Sequence, residues 1–156
     1  MTVATWNVRT MAGKGKHGRG RAEMMMQLVR EIDCDFVTIQ ETRRVGLMVI
    51  RTGSDGNGGK DGHVIVLSGG DKRTGRYGVG LAVRTSIADK SQCVPEYISD
   101  QLLNMCIIMT GKSNSAISVV GYAPTEATKD MHVKEMFRKT LHETVNRVPA
   151  KEHLFV

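Results

Sequence analysis

The chain has 156 residues, the length of one ordinary domain, with 40% hydrophobic and 24% charged residues, a composition that excludes a disordered chain. No run of ~18 apolar residues is present to cross a membrane as a helix, and the opening MTVATWNVRT lacks the basic start and apolar block of a signal peptide. An intracellular protein, nuclear or cytoplasmic, is therefore expected. Its 22 Lys and Arg against 16 Asp and Glu give a net charge of +6, which raises affinity for polyanions without choosing among them.

Residues 2–8, TVATWNV, are β-branched and aromatic and predict a strand. A basic, glycine-rich loop, MAGKGKHGRG, follows. Between Arg21 and Ile32 the spacing of Met24, Met25, Leu28, Val29 and Ile32 predicts a helix with one apolar face. Asp33-Cys34-Asp35 ends it, and Phe36–Gln40 predicts a second strand, so the three elements form a βαβ-like unit. Thr42 to Asp61 reads as a loop, broken only by the apolar segment Gly46–Ile50. His63–Leu67 and Gly78–Val83 predict strands on either side of a turn marked by Gly69, Gly70 and Gly75. Leu102–Met109 and Ala116–Tyr122 predict a further pair, split by the polar GKSNS segment. Asp130–Val145 predicts a helix, with Val133, Met136, Phe137, Leu141 and Val145 on one face. His153–Val156 predicts the first residues of another strand, and an apolar strand at the last residue implies a domain cut short. The expectation is one α/β domain over residues 1–156, its C-terminal part missing.

Cys34, Cys93 and Cys106 form no CxxC pair and read as buried thiols of a reducing compartment. Histidines 17, 63, 132, 142 and 153 show no metal-ligand grouping. Three patterns carry chemistry. Gly13-x-Gly15-x-x-Gly18 lies between a strand and a helix, as a dinucleotide cradle does. It starts five residues past Val8, however, and encloses Lys14, Lys16 and His17, which suits a basic loop near phosphate better than a cradle. Asn7 and Glu41 close the first two strands. If those strands are neighbours, the two side chains share a crevice where a carboxylate can ligate Mg²⁺ and an amide can orient it. The alternative is a pair of solvated strand-end residues. Tyr122 precedes Ala123-Pro124, where proline holds Ala123 extended; its hydroxyl can meet a phosphate or simply face water.

Taken in order, Trp6-Asn7-Val8, Gln40-Glu41-Thr42-Arg43, Gly78-Val79-Gly80, Ser99-Asp100 and Tyr122-Ala123-Pro124-Thr125 give the chain a wider likeness. It resembles the endonuclease/exonuclease/phosphatase superfamily, also called DNase I-like. More narrowly it is similar to craniofacial development protein 2-like sequences and related non-LTR retrotransposon endonucleases. The resemblance covers essentially the whole chain. It implies a two-sheet α/β sandwich with mixed sheets that hydrolyses phosphodiesters using Mg²⁺ or Mn²⁺, with DNA as partner. By the same resemblance Glu41 is the metal-binding glutamate, Asn7 the asparagine beside it, and Tyr122 the tyrosine that approaches the scissile phosphate. Lys14, Lys16, Arg19 and Arg43 are the basic residues expected to touch the phosphate backbone.

Two departures shape the expected function. Where the superfamily continues Ser-Asp with arginine, this chain has Gln101, which removes a cation. The Gly-Asp-Phe-Asn motif, the later acidic residue and the Asp-His pair of the superfamily have no counterpart here, and His153–Val156 corresponds to the strand that leads into the first of them. The attacking water then lacks a base, and the expectation is a fragment that is inactive alone. The rival readings are a non-catalytic nucleic-acid-binding remnant, a nucleotide-cofactor protein using Gly13, Gly15 and Gly18, and, within the superfamily, a phosphatase of lipid or small-molecule phosphates.

Overall fold

The structure is a computed structural model, and it describes residues 2–11, 24, 27–29, 31, 33–52, 62–70, 77–89, 91–109 and 115–156. Five strands build the first sheet: β1 (Val3–Asn7), β2 (Phe36–Gln40), β3 (Leu47–Arg51), β4 (His63–Ser68) and β5 (Val79–Arg84), in the order β1-β2-β5-β4-β3. A short helix, α1 (Thr85–Ala88), leads into the second sheet. There β6 (Ser91–Ser99), β7 (Leu102–Met109), β8 (Ser115–Gly121) and β9 (His153–Phe155) lie side by side in chain order. The helix α2 (Met131–Asn146) connects β8 to β9.

Both sheets are mixed in the same way. β1 runs parallel to β2, in register from Val3↔Phe36 to Asn7↔Gln40, and β8 runs parallel to β9. The other pairings are antiparallel. A parallel pair needs a long crossover connection, and α2 supplies it in the second sheet; in the first, the described residues 24, 27–29 and 31 are helical between β1 and β2. Asp130 caps α2, its carboxylate accepting the His132 N–H at 2.9 Å. Phe137 and Leu141 of this helix cover the outer face of the second sheet at Leu102, Ile117 and Val119.

The faces of each strand follow from its period. Val64, Val66, Leu81 and Val83 meet Leu103, Met105, Ile107 and Val120 between the sheets. The opposite face of the first sheet, with Val37, Ile39, Ile65, Leu67 and Ala82, packs against Met11 and Val29. β4 is thus buried at every position, and its unbroken apolar run reflects two covered faces. β1 alternates instead: Ala4 and Trp6 join the outer cluster, while Val3 and Thr5 face a cleft of about 650 Å³ between the sheets. Thr38, Gln40, Ser118 and Phe155 line the same cleft, and the Phe36 and Phe155 rings stack across it with centroids 6.5 Å apart.

Three features differ from the sequence reading. The apolar segment in the Thr42–Asp61 stretch is the edge strand β3, paired along its length with β4 and leaving Leu47 and Val49 exposed. β6 is a full strand although its sequence, SQCVPEYIS, contains a proline. It lies at a sheet edge, where the missing N–H of Pro95 breaks no ladder. Met24 and Leu28, expected on the apolar side of the first helix, are exposed, whereas Val29 is fully buried. Cys34 and Cys106 are half-buried and in no disulfide. Among the described residues no helix is long and apolar enough to cross a membrane.

Because Leu81 is completely buried between the sheets, we expect Leu81→Ala to lower unfolding stability by ~2–5 kcal/mol. Leu47→Thr, on the exposed edge, should change it by less than ~0.5 kcal/mol. Urea titration followed by circular dichroism measures both, and equal losses would contradict this layering.

Candidate active site at the sheet ends

β1 and β2 are neighbours, so Asn7 and Gln40 stand level where both strands end. Asn7 lies on the cleft-facing side with Val3 and Thr5, as does Gln40 with Phe36 and Thr38. Strict alternation would send the next residue, Glu41, to the opposite face. Instead its backbone turns left-handed, with φ of 57°, and the carboxylate comes round to Asn7. The Asn7 amide donates to Glu41 Oε1 at 2.8 Å, while its own oxygen accepts the Arg9 N–H at 3.0 Å. Both ends of the amide are engaged, which fixes its orientation.

The third member arrives from the other sheet. β8 directs Ala116, Val120 and Tyr122 toward the inter-sheet core, and the Tyr122 hydroxyl donates to Glu41 Oε1 at 2.9 Å. Arg43 closes the fourth side, its guanidinium 3.2 Å from Oε2. The Asn7 amide holds the Glu41 carboxyl below its usual value, helped by the Tyr122 hydroxyl and Arg43 and opposed by burial. Burial pushes the Tyr122 phenol up, and the neighbouring Glu41 charge adds to the rise. The tilted ring of Tyr77 packs 6.4 Å from that of Tyr122.

The backbone around Glu41 is held from several directions. Thr42 N–H donates to the Gly78 carbonyl at 3.0 Å, Arg43 N–H to Tyr77 at 2.9 Å, and Met11 N–H to Thr42 at 2.9 Å. Of the four described non-glycine residues with left-handed backbone, three (Arg9, Glu41 and Arg43) sit here. Gly78 has φ of 115°, and a Cβ on it would overlap the Thr42 hydroxyl oxygen and lie 2.9 Å from the Arg43 nitrogen. Only glycine permits this approach. Asp100, whose carboxyl burial pushes up, accepts the Gly78 N–H at its carbonyl, 2.9 Å away.

The structure therefore brings Asn7, Glu41, Tyr122 and Arg43 together. Arg43, expected to face a phosphate backbone, is turned onto Glu41 and 40% exposed. Lys14, Lys16 and Arg19, with Gly13, Gly15 and Gly18, lie outside the described residues. Gln101, which as a sequence feature signified a lost cation, is buried and bonded through its amide to the Tyr122 carbonyl. Gly78 and Tyr77 were not singled out as site residues, although a glycine opening a strand is a signal of close backbone approach. Among the described residues no three His, Cys, Asp or Glu side chains converge as a metal-binding group.

Comparison with known proteins bears on this arrangement. The sequence model of the Endonuclease/Exonuclease/phosphatase family matches residues 4–152. The fold is shared with the crystal structure of AP endonuclease LMAP from Leishmania major, with a TM-score of 0.61 and 19% sequence identity. The match covers 92% of this chain and 47% of that one, so this chain spans about half the length of the structure it resembles. No curated protein matches the sequence.

Two expectations follow. A folded-state carboxyl value below the ordinary 4.5 means that the unfolded chain binds more protons between the two values, so stability rises with pH there. The contribution of Glu41 is complete above the ordinary value and disappears as pH falls through the depressed one. In EDTA, the stability difference between the unsubstituted chain and Glu41→Gln should shrink from about pH 6 to about pH 3; a constant difference would refute the network. Gly78→Ala should cost at least ~1–3 kcal/mol, read from the urea midpoint, because both backbone strain and overlap with Thr42 oppose it.

Proposed function

This chain belongs to the Endonuclease/Exonuclease/phosphatase family, and on that premise we propose that it is part of a divalent-metal-dependent phosphodiesterase domain acting on the DNA backbone. The observation that carries the reading is a single carboxylate, Glu41, oriented by Asn7 and Tyr122 where the ends of both sheets meet. The motif order supports the narrower placement, among craniofacial development protein 2-like sequences of retroelement origin. The basic balance of +6 supports a polyanionic substrate.

The donor set suits a hard cation. A carboxylate whose partners among the described residues are an amide, a phenol and a guanidinium fits Mg²⁺ or Mn²⁺, which take one or two protein carboxylates and complete their shell with water and phosphate oxygens. Glu41 would hold it, and the ion supplies charge that offsets the negative phosphoryl oxygens of a phosphodiester in reaction. The protein's own groups do the rest. Asn7 keeps the carboxylate oriented and ionised at neutral pH. Tyr122 is neutral at that pH and presents an O–H donor at the same point. Arg43, partly exposed, can turn from Glu41 to a phosphate oxygen.

Among the described residues no group of three His, Cys, Asp or Glu side chains gathers at Glu41, and the sequence contains no Gly-Asp-Phe-Asn or Asp-His. We accordingly assign residues 1–156 to one domain whose remaining catalytic groups lie outside this chain, and we expect the chain alone to be inactive. Purified protein should bind Mn²⁺, followed by electron paramagnetic resonance, with binding weakened about tenfold or more in Glu41→Ala (a loss of roughly 1.4 kcal/mol). It should bind DNA in a salt-sensitive manner and should not nick supercoiled plasmid with Mg²⁺. Nicking abolished by Glu41→Ala would overturn the inactivity; Mn²⁺ binding indifferent to that change would overturn the site.

A further inference from the structure

At the end of β7 and β8 the antiparallel ladder ought to stop. Leu102↔Gly121 is its last pair, and the next residues, Tyr122 and Gln101 (the latter in the turn that joins β6 to β7), face each other. One ladder bond persists there, Tyr122 N–H to the Gln101 carbonyl at 2.9 Å. The reciprocal bond would come from the Gln101 N–H, but that group is diverted within the turn to the Ser99 hydroxyl at 3.2 Å. The Tyr122 carbonyl is served instead by the Gln101 side chain, Nε2 donating at 2.9 Å. An amide facing a carbonyl must present its nitrogen, so its orientation is fixed. Gln101 is only 8% exposed, which shields both bonds from water.

The same turn reaches the other half of the site. The Asp100 carbonyl accepts from Gly78 N–H, and the Gly78 carbonyl accepts from Thr42 N–H, the peptide next to Glu41. Two adjacent residues thus hold the segments that carry the carboxylate and the phenol. We propose that Gln101 is a positioning residue, whose side-chain amide stands in for a missing ladder donor and sets Tyr122 at hydrogen-bonding distance from Glu41. This deepens the phosphodiesterase reading above and rests on it for the purpose of the Glu41–Tyr122 pair. Gln101 itself touches neither oxygen of Glu41 and acts only through Tyr122.

The hydroxyl's partner can be followed in the full chain with ¹³Cζ-tyrosine. Three tyrosines are present, and the Tyr122 resonance is the one lost in Tyr122→Phe. Glu41→Gln, which replaces the carboxylate acceptor, should move that resonance and calibrate the loss of the bond. Gln101→Met keeps the length of the side chain without a donor and should move it in the same direction. Gln101→Arg, which presents only donors, should leave it in place. So should Leu81→Ala, which loosens the core elsewhere. An unmoved resonance in folded Gln101→Met, or an equal movement in Leu81→Ala, overturns the positioning role while leaving the site reading intact. An unmoved resonance in Glu41→Gln overturns the site itself and the positioning role with it. Should Gln101→Met not fold, hydrogen exchange in the unsubstituted chain decides. A Gln101 Nε2 proton slowed about tenfold or more relative to that of exposed Gln92 supports the role, and exchange at the rate of Gln92 overturns it.

Discussion

Among the described residues the Glu41 carboxylate receives donors from three parts of the chain: Asn7 at the end of β1, Arg43 in its own loop, and Tyr122 beyond β8 in the opposite sheet. A hydrogen bond to a charged group contributes ~1.5–3 kcal/mol where it is shielded, as the Tyr122 bond partly is, and less at the exposed Asn7 and Arg43 contacts. A left-handed non-glycine residue costs ~1–3 kcal/mol, and Glu41 and Arg43 both adopt that backbone. The terms are of one size, so the loop is tenable because the carboxylate is satisfied. Removing its donors would leave the strain without an offset. The backbone geometry and the side-chain network are therefore one constraint, and the meeting of the two sheets at this end depends on it.

Glycine makes the second half of that constraint possible. Gly78 brings the start of β5 against Thr42, and its carbonyl and that of Tyr77 receive two successive N–H groups of the Glu41 loop. Thr42 is completely buried there. The side chain of any other residue at position 78 would push the loop away and take Glu41 with it. On the far side Gln101 clamps the Tyr122 backbone through two bonds. Carboxylate and phenol are thus each fixed through main-chain contacts, and their mutual bond closes the ring between the sheets.

Much of this was legible in the sequence where local pattern carries the information. Strand, helix and strand in succession suggested a βαβ-like unit, and the closeness of Asn7 to Glu41 hung on the pairing of β1 with β2, which the structure contains. The turn signals between β4 and β5 and between β7 and β8 marked antiparallel pairs that the structure contains. β6 was not legible, because a polar strand with a proline is admissible only at an edge, and edge position is a property of the sheet. Leu47–Arg51 was hidden for a similar reason: its exposed apolar side chains belong to an edge strand and follow no inside–outside alternation. Gln101 was the hardest case. As a residue type it signified a missing charge, whereas its role depends on where its own N–H points, which no spacing rule reveals.

The donors on Glu41 are unequal, and that inequality distinguishes the oxygen through which the proposed site would meet a ligand. Oε1 carries the Asn7 and Tyr122 bonds at 2.8 and 2.9 Å, and both donors are anchored by further bonds, Asn7 through Arg9 and Tyr122 through Gln101. Among the described residues Oε2 carries only the Arg43 contact, longer at 3.2 Å, from a side chain that is 40% exposed. An ion pair with one partner so exposed is worth ~0–1 kcal/mol, less than the pair of bonds on the other oxygen. On the proposed phosphodiesterase reading, an incoming cation would displace Arg43 at the lowest cost, and a phosphate brought with it would offer the released guanidinium a replacement partner. The fixed bonds on Oε1 set the direction of the carboxylate, and the weak one on Oε2 is the side that can exchange.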